Sequence, residues 1–187
     1  RAHDGERLII TVDGVPTAQI GPISPSGSPT LDDLIAAGLV RAPRTQRSAP
    51  PKGGALMLDS SAFMRRYVNE PGRDLVVTEM AGASTWCAAA ITRTEVAAGL
   101  HRMAWDEEQR DNLVVSFVRD WEATAVVPID TRLLTRAAEI ASMFALDTVD
   151  ALHLAAADRL PRPVHFMTFS SSQIPAAAEL GFEIVSS

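Results

Sequence analysis

The sequence is poor in the features that cross-link a chain or anchor it in a membrane. Only one of its 187 residues is cysteine, Cys87, so no internal disulfide can form, and a reducing compartment is expected. No apolar run is long enough to cross a bilayer, and the first residues lack the apolar core of a signal peptide. With 47% hydrophobic and 21% charged residues, the composition is globular rather than disordered. We therefore expect a cytoplasmic protein without membrane contact.

Charge is divided unevenly along the chain. Residues 1–52 carry six basic and five acidic side chains, whereas residues 53–187 carry 11 basic and 18 acidic ones, a net charge of −7. Between them, residues 48–54 read Ser-Ala-Pro-Pro-Lys-Gly-Gly, a composition typical of a linker. The sequence therefore predicts a small N-terminal segment over residues 1–52 and an acidic domain over residues 53–187.

Apolar patterning predicts different structures for the two parts. In the first part, β-branched runs at residues 6–12 and 15–20 flank Asp13-Gly14, a strong hairpin signal, and Thr30 precedes a short helix over residues 31–37. In the second part, strands alternate with helices, which predicts an α/β fold with a mostly parallel sheet flanked by helices. The strands are predicted at residues 55–58, 86–90, 124–129, 164–169 and 183–185. The helices are predicted at about 61–68, 72–82, 92–103, 107–121, 130–144, 148–160 and from near Pro175 to Gly181.

Three acids stand where strands end or helices begin. Asp59 directly follows the first strand of the domain, Glu95 lies one turn into the helix after the second strand, and Asp150 lies in the first turn of its helix. Parallel strands end at one edge of the sheet, where ligands of such folds bind. Clustered carboxylates repel one another unless a cation lies among them, and oxygen ligands suit Mg²⁺ or Mn²⁺. The pattern therefore indicates a candidate metal site.

Each acid also has a structural interpretation. Asp59 is suited to cap the helix that begins at Ser60. Glu95 is suited to the solvated face of an amphipathic helix, and Asp150 is favoured in a first helical turn by the helix dipole. Local signals alone leave these alternatives open.

The motifs around the acids resemble those of PIN-domain ribonucleases. The matching stretches are Leu58-Asp59-Ser60-Ser61-Ala62, Thr92-Arg93-Thr94-Glu95-Val96 and Val149-Asp150-Ala151-Leu152-His153-Leu154-Ala155-Ala156-Ala157. More narrowly, residues 55–187 look like VapC-type toxins of bacterial toxin–antitoxin pairs. The resemblance implies that Asp59, Glu95 and Asp150 bind Mg²⁺ or Mn²⁺ and catalyse RNA cleavage.

The resemblance also implies secondary site residues and one departure. Ser61 matches the small hydroxyl residue that the family carries beside the first aspartate. Ser170 stands after Thr168-Phe169, where the family often has an aspartate, and a hydroxyl is a weaker metal ligand. Water or Asp147 would then complete the site, and Asp147 is also suited to cap a helix. The number of metal ions is left open by this substitution.

The first part of the chain resembles a piece of a Phd/YefM-like antitoxin of the VapB type. The match covers the hairpin over residues 1–22, without the N-terminal half that serves dimerisation and operator binding in that family, so operator DNA is a doubtful partner. Residues 30–52 resemble a toxin-binding tail with an apolar stripe of Leu31, Leu34, Ile35 and Leu39. The resemblance leaves open whether this segment acts in cis or on a partner chain.

The basic tail suggests inhibition. Arg44, followed by Arg47 and Arg41, is the candidate to enter the acidic site, because a guanidinium pairs with carboxylates and displaces a metal. From Arg44 to Ala55 the chain spans at most about 36 Å, which is about the diameter of a domain of this size. Because a tail would have to cross the whole domain to reach its own site, plugging the site of a partner in a homodimer or higher even oligomer is favoured. The alternative is a solvated basic linker.

The sequence thus predicts a Mg²⁺- or Mn²⁺-dependent endoribonuclease toxin held inactive by its N-terminal segment. Two alternatives remain: a catalytically weak toxin-like domain that acts in complex assembly and operator-linked regulation, and a PIN nuclease of RNA processing. The RNA target, the origin of the fusion and the oligomeric state are not determined by the sequence.

Overall fold

The computed structural model describes residues 8–12, 15–20, 29–47 and 54–186. In the first two ranges, strands β1 (Leu8–Val12) and β2 (Val15–Ile20) pair antiparallel, with a register shift between Ile10 and Thr11. The predicted turn residues Asp13 and Gly14 and most of the predicted linker lie outside the described residues. The assignment of this strand pair to an antitoxin stays a prediction.

A five-stranded, all-parallel sheet forms the centre of the domain. Its strand order is β5-β4-β3-β6-β7, so consecutive strands are joined by helical crossovers. This arrangement confirms the predicted α/β class with a parallel sheet flanked by helices. The strands are β3 (Ala55–Leu58), β4 (Thr85–Ala89), β5 (Thr124–Val127), β6 (His165–Met167) and β7 (Glu183–Val185).

Eight helices are present in the described ranges. They are α1 (Leu31–Ala36), α2 (Ser60–Arg65), α3 (Arg73–Gly82), α4 (Thr92–Met103), α5 (Glu107–Glu122), α6 (Thr131–Phe144), α7 (Thr148–Asp158) and α8 (Gln173–Glu179). Among them, no single helix is long and apolar enough to cross a membrane, and α6 with α7 would qualify together only as a pair bent by 117°.

Local side-chain chemistry explains where several helices begin. Thr30 caps α1 in a capping box with Asp33, and Asp130 caps α6 by accepting from the Leu133 amide. The prediction that α8 begins near Pro175 is wrong by two residues, because α8 starts at Gln173. Proline is tolerated in the third helical position as well as the first, since no amide of the first turn has an intrahelical acceptor.

Apolar side chains fill both faces of the sheet. One face packs against α6, α7 and α8, and the other against α2 to α5, with Phe63, Phe117 and Trp121 in mutual contact. Every residue of α7 from Ala151 to Ala157 is buried. Because α7 carries Asp150 in its first turn, this burial fixes the position of that residue relative to the sheet.

Residues 29–47, here called the edge segment, pack on the domain itself. Leu34 and Val40 are buried in the core on the α6–α7 side, and Leu31, Ile35 and Leu39 pack around them. Arg41 pairs antiparallel with Val126 of the edge strand β5, with N–O distances of 2.7 and 2.9 Å. The edge segment therefore covers one open edge of the sheet, which would otherwise expose unpaired backbone groups. The predicted boundary near residue 52 stays a prediction.

Candidate active site

Asp59 lies at the carboxyl end of β3 and caps α2. Its Oδ1 accepts from the Ala62 amide at 2.8 Å, Ser61 Oγ donates to the carboxylate at 2.8–2.9 Å, and Thr168 Oγ1 donates to Oδ2 at 2.9 Å. Burial raises the pKa of the Asp59 carboxyl, although the charge of His153 and these hydrogen bonds act in the opposite direction. The buried carboxylate is therefore one that a nearby cation would stabilise in its charged form.

Glu95 lies in the first turn of α4 and shares a small polar network with two residues. Ser60 Oγ donates to Glu95 Oε2 at 2.6 Å, and His153 Nε2 lies 2.8 Å from the same oxygen. Burial acts to raise the pKa of Glu95, but the hydrogen bonds from His153 and Ser60 outweigh it and hold the pKa below its usual range. Glu95 is thus kept ionised and fixed in orientation.

Asp150 lies in the first turn of α7 and faces the loop that follows β6. Gln173 Nε2 donates to Oδ1 at 2.6 Å, Ser172 Oγ donates to Oδ2, and Ser170 Oγ lies 3.5 Å from Oδ2. Ser170, which stands where the resembled family often has an aspartate, thus lies beside the third acid.

Hydroxyl groups link two of the three acids, Asp59 and Asp150, along the carboxyl edge of the sheet. Thr168 donates to Asp59 and accepts from the amide of Ser170, which in turn faces Asp150. On the other side, Ser60 and His153 hold Glu95. In the described residues, however, no group of three or more His, Cys, Asp or Glu side chains is arranged to hold one ion.

The chemistry of the donor set fits a hard divalent cation. All candidate ligands are carboxylate or hydroxyl oxygens, and oxygen ligands select Mg²⁺ or Mn²⁺ over softer metals. The burial of Asp59 also favours a cation at this site, because a buried carboxylate needs a compensating charge.

The secondary residues differ in their position. Ser61 contacts Asp59, and Ser170 lies beside Asp150. Asp147 is the N-cap of α7, and its Oδ1 accepts from the amides of Val149 and Asp150. Asp147 therefore acts as a helix cap in the structure. A role for Asp147 in completing the metal site stays a prediction.

Several residues that contact the acids were not among the predicted site residues, and His153 is one of them. That residue is almost fully buried, and its Nδ1 has no partner among the described residues. Its spacing of three from Asp150 on one helix is the signal that places it near the site. Ser172 and Gln173 carried no such signal, because they reach Asp150 from a loop and helix more than 20 residues away.

The three arginines expected to plug the site lie elsewhere in this chain. Arg44 pairs with Glu122 at 2.9 Å. Arg47 donates to the carbonyls of Met80 and Ala83 at 2.8 Å and stacks on Trp86, beside the amino-terminal end of β4. The Arg41 backbone is fixed on β5. The physical reason is that the backbone of the edge segment is bound along β5, from Val126 toward Glu122, so these side chains find partners other than the acids. Inhibition by these residues stays a prediction, and it concerns another copy of the chain.

More than half of the chain matches the model of one protein family. The PIN domain family matches residues 56–161. A toxin–antitoxin complex from Klebsiella pneumoniae shares the fold with a TM-score of 0.53 at 15% identity, covering 70% of this chain and 96% of that chain. FitAcB from Neisseria gonorrhoeae gives a TM-score of 0.52 at 15% identity, with 70% and 96% covered.

A third solved structure, VapBC2 from Rickettsia felis bound to a promoter DNA fragment, gives a TM-score of 0.53 at 12% identity, covering 71% of this chain and 99% of that chain. At these identities the three structures show the shared fold alone. No curated protein is similar enough in sequence to match. Because the family match spans more than half of the sequence, the chain belongs to the PIN domain family.

Proposed function

We propose that this protein is a metal-dependent endoribonuclease and the toxin of a toxin–antitoxin pair. PIN domains are generally nucleases, and the solved structures that share the fold include toxin–antitoxin complexes. The observation that carries the proposal is the position of Asp59, Glu95 and Asp150 at the carboxyl edge of one parallel sheet.

The residues of the chain have distinct roles in this proposal. Asp59, Glu95 and Asp150 would hold Mg²⁺ or Mn²⁺. When bound, such an ion supplies the Lewis acidity that activates a water nucleophile and offsets the charge of the phosphodiester. Ser61 and Thr168 fix the orientation of Asp59, and their hydrogen bonds favour its charged form.

A nuclease assay with a matched control tests the proposal. In Asp150→Asn the shape of the side chain is kept and its charge is removed, so we expect cleavage of RNA to fall to background in Mg²⁺ or Mn²⁺. Asp106→Asn is the control, because Asp106 is an exposed N-cap outside the site and asparagine is an equally good cap. Full activity of Asp150→Asn would remove Asp150 from the mechanism.

The toxin role is tested by bacterial growth. Expression of the chain in a bacterial host should arrest growth, and Asp150→Asn should relieve the arrest. A PIN nuclease of RNA processing would instead cleave RNA without arresting growth. A homodimer and inhibition in trans by Arg44 are separate proposals. A homodimer would elute at twice the mass of the chain, and under inhibition Arg44→Ala would cleave RNA and arrest growth more strongly than the unchanged chain.

A catalytically weak role in complex assembly is the second candidate. It is favoured by one observation, which is that Ser172 and Gln173 already occupy both oxygens of Asp150. In that case the purified chain would leave RNA intact in both metals while still binding a partner antitoxin. The nuclease assay therefore separates the two candidates.

A further inference from the structure

Three arginines line a small cleft at the β5 edge of the sheet. Arg41 and Arg44 come from the edge segment, and Arg93 comes from the first turn of α4. The rest of the wall is formed by the end of α5 and by β5, through Ala42, Trp121, Glu122, Thr124 and Val126. Three cations are thus brought together on a domain whose own net charge is negative.

The charge of this cleft is only partly neutralised. Arg44 pairs with Glu122 at 2.9 Å, yet 77% of its side chain is exposed. Arg41 and Arg93 are also exposed, and neither has an acidic group within 4.0 Å in the part of the chain that the structure describes. The cleft therefore presents two arginines without an ion-pair partner in that part, and a third that shares its charge with one acid.

A second cleft provides a useful contrast. It is lined by Arg132, Arg136 and Arg159, but Arg136 pairs with Asp158 and Arg159 pairs with Asp130. Arg136 and Arg159 thus join helices α6 and α7, and only Arg132 is exposed without an ion-pair partner in the described part of the chain. Both clefts therefore contain three arginines, and the first cleft differs from the second in having fewer acids to compensate them.

One end of the first cleft lies near the carboxyl edge of the sheet, where the acids also lie. Arg93 lies two residues before Glu95 in the same helical turn, and Arg41 is fixed opposite Val126, near the carboxyl end of β5. The cleft volume is about 50 Å³, far below the roughly 300 Å³ of small-molecule pockets. It suits single phosphate groups of a longer strand that lies on the surface.

We infer that this cleft binds backbone phosphates of single-stranded RNA next to the active site. The inference rests on the proposed ribonuclease function, and it names the surface that receives the substrate strand. Guanidinium groups bind phosphate oxygens in bidentate fashion, and such contacts position a strand without reading its sequence. The edge segment then contributes to substrate binding on its own domain.

The test measures binding separately from cleavage. Full-length Asp150→Asn protein, which does not cleave under the proposal, is titrated into a fluorescent single-stranded RNA at 50–200 mM KCl in EDTA. For single strands, each phosphate contact adds about 0.7 to the slope of log affinity against log salt. Adding Arg41→Ala and Arg93→Ala should lower the slope by about 1.4, and Arg132→Ala should leave it unchanged.

A gain-of-binding variant makes the test sharper. Glu122→Gln removes the acid that neutralises Arg44 and leaves the backbone contacts of Glu122 in place. We expect tighter binding and a slope larger by about 0.7. This result would support the cleft, because a surface elsewhere on the protein would not respond to this change.

Each outcome distinguishes a failure of the cleft proposal from a failure of the ribonuclease proposal. Equal slopes for the double variant and Arg132→Ala would overturn the cleft, whatever the nuclease assay shows. Cleft-dependent binding by a chain that never cleaves RNA would support the cleft and refute the ribonuclease proposal. Stronger cleft-dependent binding to duplex DNA than to RNA would overturn the assignment of RNA as the ligand.

Discussion

A mutation at Leu34 can decide whether the edge segment belongs to the fold or is a detachable tail. Leu34 is only 6% exposed and packs into the core on the α6–α7 side. In Leu34→Ala the helix propensity of α1 is not reduced, since alanine is the best helix former. Any loss of stability therefore reports the lost packing between the edge segment and the domain.

The expected magnitude follows from the burial. Leucine-to-alanine changes in protein cores cost about 2–5 kcal/mol. Leu34 lies on a two-turn helix at the rim of the core, where the surroundings can relax, so we expect the lower end, about 2–3 kcal/mol. For a chain of this length, that corresponds to a decrease in Tm of roughly 4–12 °C.

Thermal unfolding of the full chain, followed by circular dichroism, is the assay. Leu134→Ala is the matched control, because Leu134 is 51% exposed on α6 and its truncation should change stability by about 0.5 kcal/mol or less. If Leu34→Ala unfolds like Leu134→Ala, the edge segment does not stabilise the domain. The interpretation of residues 29–47 as part of the fold would then be refuted.

Three further changes test individual contacts. Thr168→Val removes the hydroxyl that donates to Asp59, and urea unfolding should show a loss of about 1–3 kcal/mol. Gly72→Ala should lower Tm, because Gly72 has φ +90° and an added Cβ would lie 2.4 Å from the Phe169 ring. Asp130 has a pKa lowered to about 2 by its arginine partner and caps α6, so its charge stabilises the fold above about pH 3.8, and this contribution is lost as the pH falls toward 2. Asp130→Asn should therefore be less stable by about 0.5–1 kcal/mol at pH 6, and equilibrium unfolding should show no difference near pH 2.

The parallel sheet was predictable because its strands are short apolar runs bounded by turn residues. Strand β5 ends at Val127 rather than at residue 129, since Pro128 has no amide to donate to a neighbouring strand. Strand β6 ends at Met167 because the next residues serve the site: Thr168 Oγ1 binds Asp59, and Ser170 faces Asp150. The strand ends were thus least predictable where side chains have another function.

The candidate acids could be located from the sequence, but their partners could not. Asp59, Glu95 and Asp150 stand at element boundaries, which local patterns reveal. Their hydrogen-bond donors come from residues up to 109 positions away, as for Thr168 and Asp59. Such contacts depend on strand order, and nothing in a short motif encodes it.

The edge segment also shows why a basic tail is hard to interpret from sequence alone. Arg41 was considered an inhibitor because of its charge, yet its backbone is fixed on β5 while its guanidinium lines an exposed cleft. In the edge segment, the backbone therefore anchors the chain to β5 and the Arg41 side chain supplies the charge, so mutations should separate the two effects.

Arg41→Ala should weaken RNA binding and leave Tm nearly unchanged, because an exposed guanidinium contributes little to stability. Leu34→Ala should lower Tm and, by loosening the segment, also reduce the salt dependence of RNA binding. A large decrease in Tm for Arg41→Ala would show that this side chain stabilises the fold and would contradict the separation.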